Sequence, residues 1–197
     1  MKMRFGRLLA VIFCARFVLF ALAFGQQSTI TPKKDFTPEQ KEYQQQMKEY
    51  LAKIQSLQSQ AKQIFDAEMA REKAGDCPDA DGTLGLKFCL NKETVITDQN
   101  LKSYEELIRG QIIPEPKVPG APAANTWGPV GPNLSDEELL AEFDRMEQSW
   151  RIYREAACTA TLHRLHGAEL GPYYGLTCEL KMARDHMRLI DMFYNAD

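Results

Sequence analysis

The sequence has no excess of basic residues and no series of long apolar runs. It contains 24 Lys and Arg against 27 Asp and Glu, which gives a formal charge of −3, and 44% of its residues are apolar. Nucleic-acid-binding domains usually carry a basic excess, and a multi-span membrane protein needs several runs of about 20 apolar residues. The composition argues against both classes and against full disorder, and it is typical of one globular domain with extensions.

Familiar catalytic and metal-binding patterns are also missing. The chain has no His-Glu-x-x-His motif, no glycine-rich phosphate loop, no Ser/His/Asp frame and no Cys-x-x-Cys pair. His163 and His166 are three residues apart on a predicted helix, a spacing that suits a metal pair. Histidines near the carboxyl end of a helix are favoured there without any metal. We therefore predict that the protein is not an enzyme and holds no metal or cofactor.

The first 25 residues have the organisation of a secretory signal. The basic segment 1–7 precedes the apolar segment 8–24, and Ala23 and Gly25 are small residues at the −3 and −1 positions of a cleavage site. We predict cleavage after Gly25 and a periplasmic or secreted product. The alternative is an uncleaved membrane anchor, which is disfavoured because the apolar segment has only 17 residues and Arg16 interrupts it. Removal of the segment changes the formal charge from −3 to −7.

Four of the five cysteines follow this segment, and an even number in an oxidising compartment predicts two disulfides. Cys158 and Cys178 lie ten residues before and after Ala168, where the sequence turns between two predicted helices. In an antiparallel helical hairpin, two residues at the same number of positions before and after the turn lie side by side. Cys77 and Cys89 flank a coil rich in Pro, Asp and Gly. We therefore predict the pairs Cys77–Cys89 and Cys158–Cys178.

Apolar residues recur at helical spacing in four segments, and no alternating pattern typical of strands is found. The predicted helices cover about residues 37–74, 83–109, 135–167 and 173–194. Gly171 and Pro172 are expected to form the turn before the last helix. The sequence predicts an all-α fold, a small disulfide-stapled helical bundle with an additional N-terminal helix.

Apolar stripes predict the buried faces of these helices. Steps of four and three residues alternate along the first helix over 43–64 and along the third helix over 139–160. The last helix carries two stripes, one from Leu176 to Tyr194 and one from Cys178 to Phe193, which predict more than one neighbour. Two interpretations of the stripe on the first helix are possible. The helix docks on its own domain, or it forms a coiled-coil homodimer through residues 43–64.

Two segments lack a helical pattern. Residues 26–36 form a polar tether, and residues 112–132 contain six prolines and three glycines. Proline lacks the amide donor and fixes φ, so the second segment is predicted to be an extended surface loop. Trp127 within it is expected to be either exposed or docked on the core.

The cysteine frame and its flanks resemble the LprI-type lysozyme-inhibitor domain of bacterial exported proteins. Residues 150–158, WRIYREAAC, are similar to the family's W-x-x-[FY]-R-D-A-x-C segment. Residues 101–107, LKSYEEL, match its L-x-x-Y-x-x-L helix, which follows two cysteines about a dozen residues apart. A glycine-containing turn, 167–175, then precedes the fourth cysteine. The resemblance covers about residues 77–192.

The chain departs from this family at three places. Glu155 replaces an aspartate, the Pro-rich segment 112–132 replaces a short loop, and Ala183 and His186 replace the Thr and Arg of a Thr-x-x-Arg motif. These changes leave the expected helical fold of residues 77–194 intact. They bear on whether the family's activity transfers to this chain.

The resemblance implies an exported helical binding protein that inhibits a lysozyme-type muramidase. A charge of −7 favours encounter with a basic enzyme. Glu169, Tyr173 and Tyr174 are the candidate partner-binding residues, because their turn lies beside the predicted Cys158–Cys178 disulfide and tyrosine is a frequent interface anchor. The alternative at this site is that both tyrosines pack inward. The alternative function is a structural or scaffolding protein of the cell envelope that associates through its N-terminal heptad helix.

Overall fold

The computed structural model describes residues 36–120, 134–164 and 170–195. Four helices make up these ranges: α1 (Pro38–Ala74), α2 (Gly82–Arg109), α3 (Asp136–Arg164) and α4 (Gly171–Tyr194). No strand occurs among the described residues, and the predicted all-α bundle is confirmed. None of the described helices combines the length and apolar character needed to cross a membrane. The predicted signal segment, all but the last residue of the tether, Trp127 and Gly167 lie outside the described residues.

The core forms where α4 packs against α1, α2 and α3, and α1 also packs on α2. All four helices supply buried apolar residues, and these are Ala61, Leu101, Tyr104, Ile108, Phe143, Ala183, Met187 and Ile190. The first predicted stripe of α4 is thereby confirmed over its central turns. The second stripe is wrong at its end, because Leu189 and Phe193 are exposed. At about 100° per residue, both positions are rotated away from the side of α4 that carries Met187 and Ile190.

The predicted stripe of α3 is also wrong in its second half. Tyr153 is exposed, whereas Arg154 is partly buried and Cys158 is buried. After Trp150, the next residue that points towards the core is Arg154, four residues later, and not Tyr153, three residues later. The arginine is held there because its guanidinium lies over the Trp150 ring, 5.5 Å from the centroid, and pairs with Asp98 of α2 at 2.8 Å.

α1 docks on the rest of its own domain through its carboxyl-terminal half. Ala61 is buried, and Ile64 and Phe65 pack against the core. Leu57 lies close to Gly110 at the end of α2. A Cβ atom placed on Gly110 would be 3.5 Å from Leu57 Cδ1. The half-exposed apolar residues from Tyr43 to Ile54 therefore lie beyond the end of α2. A homodimer through residues 43–64 stays a prediction.

The starts of α3 and α4 differ in how well the sequence predicts them. At α3, the Ser135 amide donates to Glu138 Oε2 at 2.7 Å and the Glu138 amide donates to Ser135 Oγ at 3.3 Å, which confirms the capping box. The predicted turn at Gly171 and Pro172 is wrong, because both residues belong to the first turn of α4. Proline suits that turn, since the first amides of a helix have no acceptor within it and the fixed φ is helical.

Both predicted disulfides are present. Cys77 pairs with Cys89 at a Cα–Cα distance of 5.9 Å, and Cys158 pairs with Cys178 at 5.5 Å. The first connects the coil after α1 to α2, and the second connects α3 to α4. Disulfides persist in oxidising compartments, so the pair indicates an extracytoplasmic environment.

A buried ionic network holds α4 to α1 and to the coil that follows α1. Arg184 is 2% exposed; its Nε donates to Glu68 Oε1 at 2.9 Å and its two Nη atoms donate to Asp76 at 2.8 Å each. Glu68 also accepts from Thr97 at 2.8 Å and from Asn100 at 2.7 Å. Burial raises the pKa of Glu68, but the hydrogen bonds from Asn100, Arg184 and Thr97 outweigh it and hold this pKa below 4.5.

Loss of the Glu68 charge should destabilise the fold. We expect Glu68→Gln to lower the free energy of unfolding by on the order of 3 kcal/mol at neutral pH, because Arg184 loses a buried partner. A carboxyl group whose pKa is lower in the folded than in the unfolded state stabilises the fold at pH values above its unfolded-state pKa. This stabilisation is lost as the pH falls through the folded-state pKa. The difference between wild type and variant in urea denaturation should therefore shrink as the pH falls below the ordinary pKa range of a glutamate. Asp66→Asn, in the exposed Lys62–Asp66 pair, is the control and should cost less than about 1 kcal/mol.

Removal of the Cys158–Cys178 disulfide should lower the stability of the fold about as much as Glu68→Gln does. The Cys158–Cys178 bond closes a loop of 20 residues. In the loop-entropy model such a bond stabilises by about 3 kcal/mol, so the double variant Cys158→Ser/Cys178→Ser should unfold at a correspondingly lower urea concentration. An unchanged midpoint would show that the bond does not constrain the unfolded chain.

Candidate functional site

Two of the three predicted partner-binding residues lie in the first turn of α4. Tyr174 is exposed and Tyr173 is half-buried, and their rings meet edge to face with centroids 5.1 Å apart. Cys178, one turn further along α4, is bonded to Cys158. Glu169 lies outside the described residues. The structure thus places both tyrosines at the end of the bundle that the disulfides join.

Exposed apolar side chains surround an open groove at this same end. Leu84 and Phe88 of α2 are 66% and 69% exposed, and Leu162 of α3 is exposed as well. Together with Pro172 and Leu176 of α4 they line a groove of about 380 Å³, which we call the end groove. Contiguous exposed apolar side chains are uncommon on monomeric proteins and mark interaction sites.

The end groove is built on stiff parts of the fold. Phe88 immediately precedes Cys89, and Leu162 follows Cys158 by one helical turn. Both disulfides therefore fix helices that form its walls. A surface that is already ordered loses little conformational entropy when a partner docks on it.

A second depression has a very different lining. Its volume is about 610 Å³, and charged side chains of α2, α3 and α4 dominate its wall. We call it the charged cavity. Four of its residues belong to segment 150–158 of α3, namely Trp150, Arg151, Arg154 and Glu155. Glu179 lines both the charged cavity and the end groove, so the two depressions are neighbours.

Three buried polar residues meet beside the charged cavity, one each from α2, α3 and α4. Glu105, Glu147 and His186 are 3–5% exposed. His186 Nε2 lies 3.0 Å from both carboxylate oxygens of Glu147, and the His186 ring stacks on Trp150 at a centroid distance of 3.9 Å. Glu105 Oε2 accepts a hydrogen bond from Arg151. We call Glu105, Glu147 and His186 the buried triad.

The electrostatics of the triad are those of groups removed from water. Burial, together with the neighbouring Glu147 carboxyl, raises the pKa of Glu105 to about 8. Burial also raises the pKa of Glu147 and lowers that of His186 to about 4, so the imidazole is neutral at pH 7. Glu105 Oε1 and His186 Nδ1 are buried without a hydrogen-bond partner.

Sequence reasoning missed the buried triad. Each member occupies a core-facing position: Glu105 follows Tyr104, Glu147 is four residues after Phe143, and His186 is three residues after Ala183. Each of them is next to a residue of an apolar stripe and not on it, and His186 stood out in the sequence only as the residue that replaces the Arg of the Thr-x-x-Arg motif. His163, one of the two histidines at a spacing that suits a metal pair, is exposed and not part of the triad, and His166 is outside the described residues.

Comparison with known proteins gives no relative from which a function can be transferred. The function of the chain is therefore inferred from the end groove, the charged cavity and the buried triad themselves. No protein-family model, no curated protein and no solved structure matches this chain.

Proposed function

We propose that the chain is an exported binding protein that docks a partner protein on the end groove. The observation that carries this proposal is the set of exposed apolar side chains, led by Leu84 and Phe88, on an end fixed by two disulfides. Aromatic anchors on a preordered surface are what tight protein interfaces use. Phe88 supplies such an anchor in the end groove, whereas Tyr174 is exposed on the same first turn of α4 as Pro172 but does not line the groove.

The compartment supports an extracellular or periplasmic partner. Two disulfides require an oxidising environment, and residues 1–25 have the basic and apolar organisation of a secretory signal. A partner met in this compartment is a protein of the cell envelope or of the surrounding medium.

The partner we favour is a lysozyme-type muramidase. The resemblance of residues 150–158 and of the cysteine frame to the LprI-type inhibitor domain supports this choice. Muramidases act with two carboxylates in an open cleft, and an inserted rigid surface would block substrate there. The charge of −7 after removal of residues 1–25 speeds encounter with a basic enzyme, while the apolar groove supplies the affinity.

A pair of equally exposed phenylalanines tests the docking site. Phe88 in the end groove and Phe193 near the end of α4 are 69% and 67% exposed. With residual muramidase activity measured against added mature protein, we expect Phe88→Asp to raise the inhibitory concentration at least about tenfold, because a buried interface anchor is lost. Phe193→Asp should inhibit like the wild type.

Other results of that assay would change the proposal. Equal weakening by both substitutions would remove the end groove as the docking site. A wild-type protein that leaves every tested lysozyme fully active would exclude muramidase inhibition. Direct binding of the wild type to immobilised lysozyme, measured in parallel, separates binding without inhibition from no binding.

The second candidate function, scaffolding in the cell envelope, is favoured by the first half of α1. Tyr43, Met47, Tyr50 and Ile54 form a half-exposed apolar stripe beyond the end of α2. A stripe with this spacing is typical of a helix that packs on another helix.

Association through this stripe is tested by charge substitution. If α1 mediates self-association, Met47→Lys/Ile54→Lys should convert an oligomer to a monomer in sedimentation, because two buried charges disfavour the helix contact. Gln58→Lys, at an exposed position of the same helix, is the control and should leave the mass unchanged. A wild type that sediments as a monomer would argue against self-association.

A further inference from the structure

The buried triad places metal-ligating atoms from three helices close to one point. One ligand atom from each of Glu105, Glu147 and His186 lies within 4.8 Å of the other two. A metal bond to nitrogen or oxygen is about 2.1 Å long, so two ligands of one ion are about 3.0–3.4 Å apart. The 3.0 Å distances between His186 Nε2 and the Glu147 oxygens already match this spacing.

The acidic groups at the triad are not fully paired with positive groups, so a cation would be favoured there. Two carboxyl groups are buried side by side, and the positive group that contacts them, the Arg151 guanidinium, is about half-exposed. Glu105 Oε1 receives no hydrogen bond from a nitrogen or hydroxyl donor although the residue is 95% buried, and the group beside it is the Glu147 carboxyl. A buried carboxylate oxygen without a donor is costly, and coordination of a cation is one of the few ways to satisfy it.

The other buried acid of the bundle shows the contrast. Glu68 accepts hydrogen bonds from Thr97, Asn100 and Arg184, so its carboxylate is fully used by the protein itself. Nothing at Glu68 calls for an additional cation. The triad differs from Glu68 in two ways. Fewer hydrogen-bond donors contact its carboxyl groups, and the arginine that does, Arg151, is about half-exposed.

We propose that Glu105, Glu147 and His186 bind a first-row divalent metal ion, with Zn²⁺ as the best match to one imidazole and two carboxylates. Imidazole suits transition metals, while Ca²⁺ prefers six to eight oxygen ligands, which this triad does not offer. The adjacent charged cavity, which Glu105 also lines, gives space for water to complete the coordination. Stacking on Trp150 holds the His186 ring in position.

Titration of the full mature chain with Zn²⁺ alone tests the site, after treatment with a chelator. Calorimetry should show one ion bound per chain. Glu105→Gln and Glu147→Gln keep the side-chain shape and should each weaken binding at least about tenfold, since each removes a carboxyl group that loses its proton when it binds the ion. His163→Ala, at an exposed histidine of α3, is the matched control and should bind like the wild type.

A second measurement does not depend on the fold of the ligand variants. Co²⁺ bound at the triad should quench Trp150 fluorescence in the wild-type protein, because this ring stacks on His186. Trp150→Phe should abolish the quenching and still bind the ion in calorimetry. Persistent quenching in Trp150→Phe would place the ion near the other tryptophan and overturn the proposal.

Two further results would also overturn it. The absence of any bound Zn²⁺ in the wild type would mean that Glu105 and Glu147 share a proton in place of a metal ion. Binding that His163→Ala removes and Glu147→Gln retains would assign the ion to the surface histidines of α3.

Discussion

The hydrogen bonds between Arg184 and the acids Glu68 and Asp76 set the arrangement of the bundle. Taking a guanidinium and a carboxylate out of water costs several kcal/mol for each ion, and the cost is offset only when the geometry satisfies every donor and acceptor. Here Arg184 uses its Nε and both Nη atoms, and Glu68 accepts additional bonds from α2. A shift of α1 by one turn would leave both ions unpaired, so the network fixes the register of α1 against α4 and orders the coil that leads to Cys77.

Two residues further along α4, His186 faces a different environment. Side chains two positions apart on a helix point about 200° apart, so Arg184 faces α1 while His186 faces α3. The same helix therefore carries one fully paired ionic network and one cluster with unpaired buried atoms. Unsatisfied buried polar groups are uncommon in folded proteins and usually have an explanation, such as a bound ion, a bound water or a chemical role. This contrast is why the triad and not the arginine network invites a ligand.

The sequence predicts the elements of this fold well, because local signals specify them. The capping box at Ser135 and the glycine after Arg109 mark helix ends, and equal offsets from the helical turn pair Cys158 with Cys178. These signals depend on neighbouring residues or on the geometry of one hairpin. The fold class therefore follows from periodicity and cysteine positions alone.

The errors arise where tertiary contacts decide between two positions of similar periodicity. Arg154 is preferred to Tyr153 on the inner face of α3, because Trp150 and Asp98 bind its guanidinium. Leu189 fits a helical stripe, yet it is exposed among the described residues. Such choices depend on the side chains that a neighbouring helix presents, and hydropathy carries no information on them. The buried triad escapes sequence reasoning for the same reason, since its three members come from different helices.

The placement of the disulfides bears on which end of the bundle meets a partner. At the far end, α4 is held by the edge contact of Tyr194 with Phe143 and by the hydrogen bond from Tyr104 to Asp191, and both are non-covalent. At the near end, two covalent bonds fix the walls of the end groove. Large exposed apolar side chains occur at both ends, but a helix end without a covalent tie has more conformational freedom to lose upon binding than a stapled groove. Rigidity, and not exposure alone, therefore distinguishes Phe88 from Phe193 as an interface anchor.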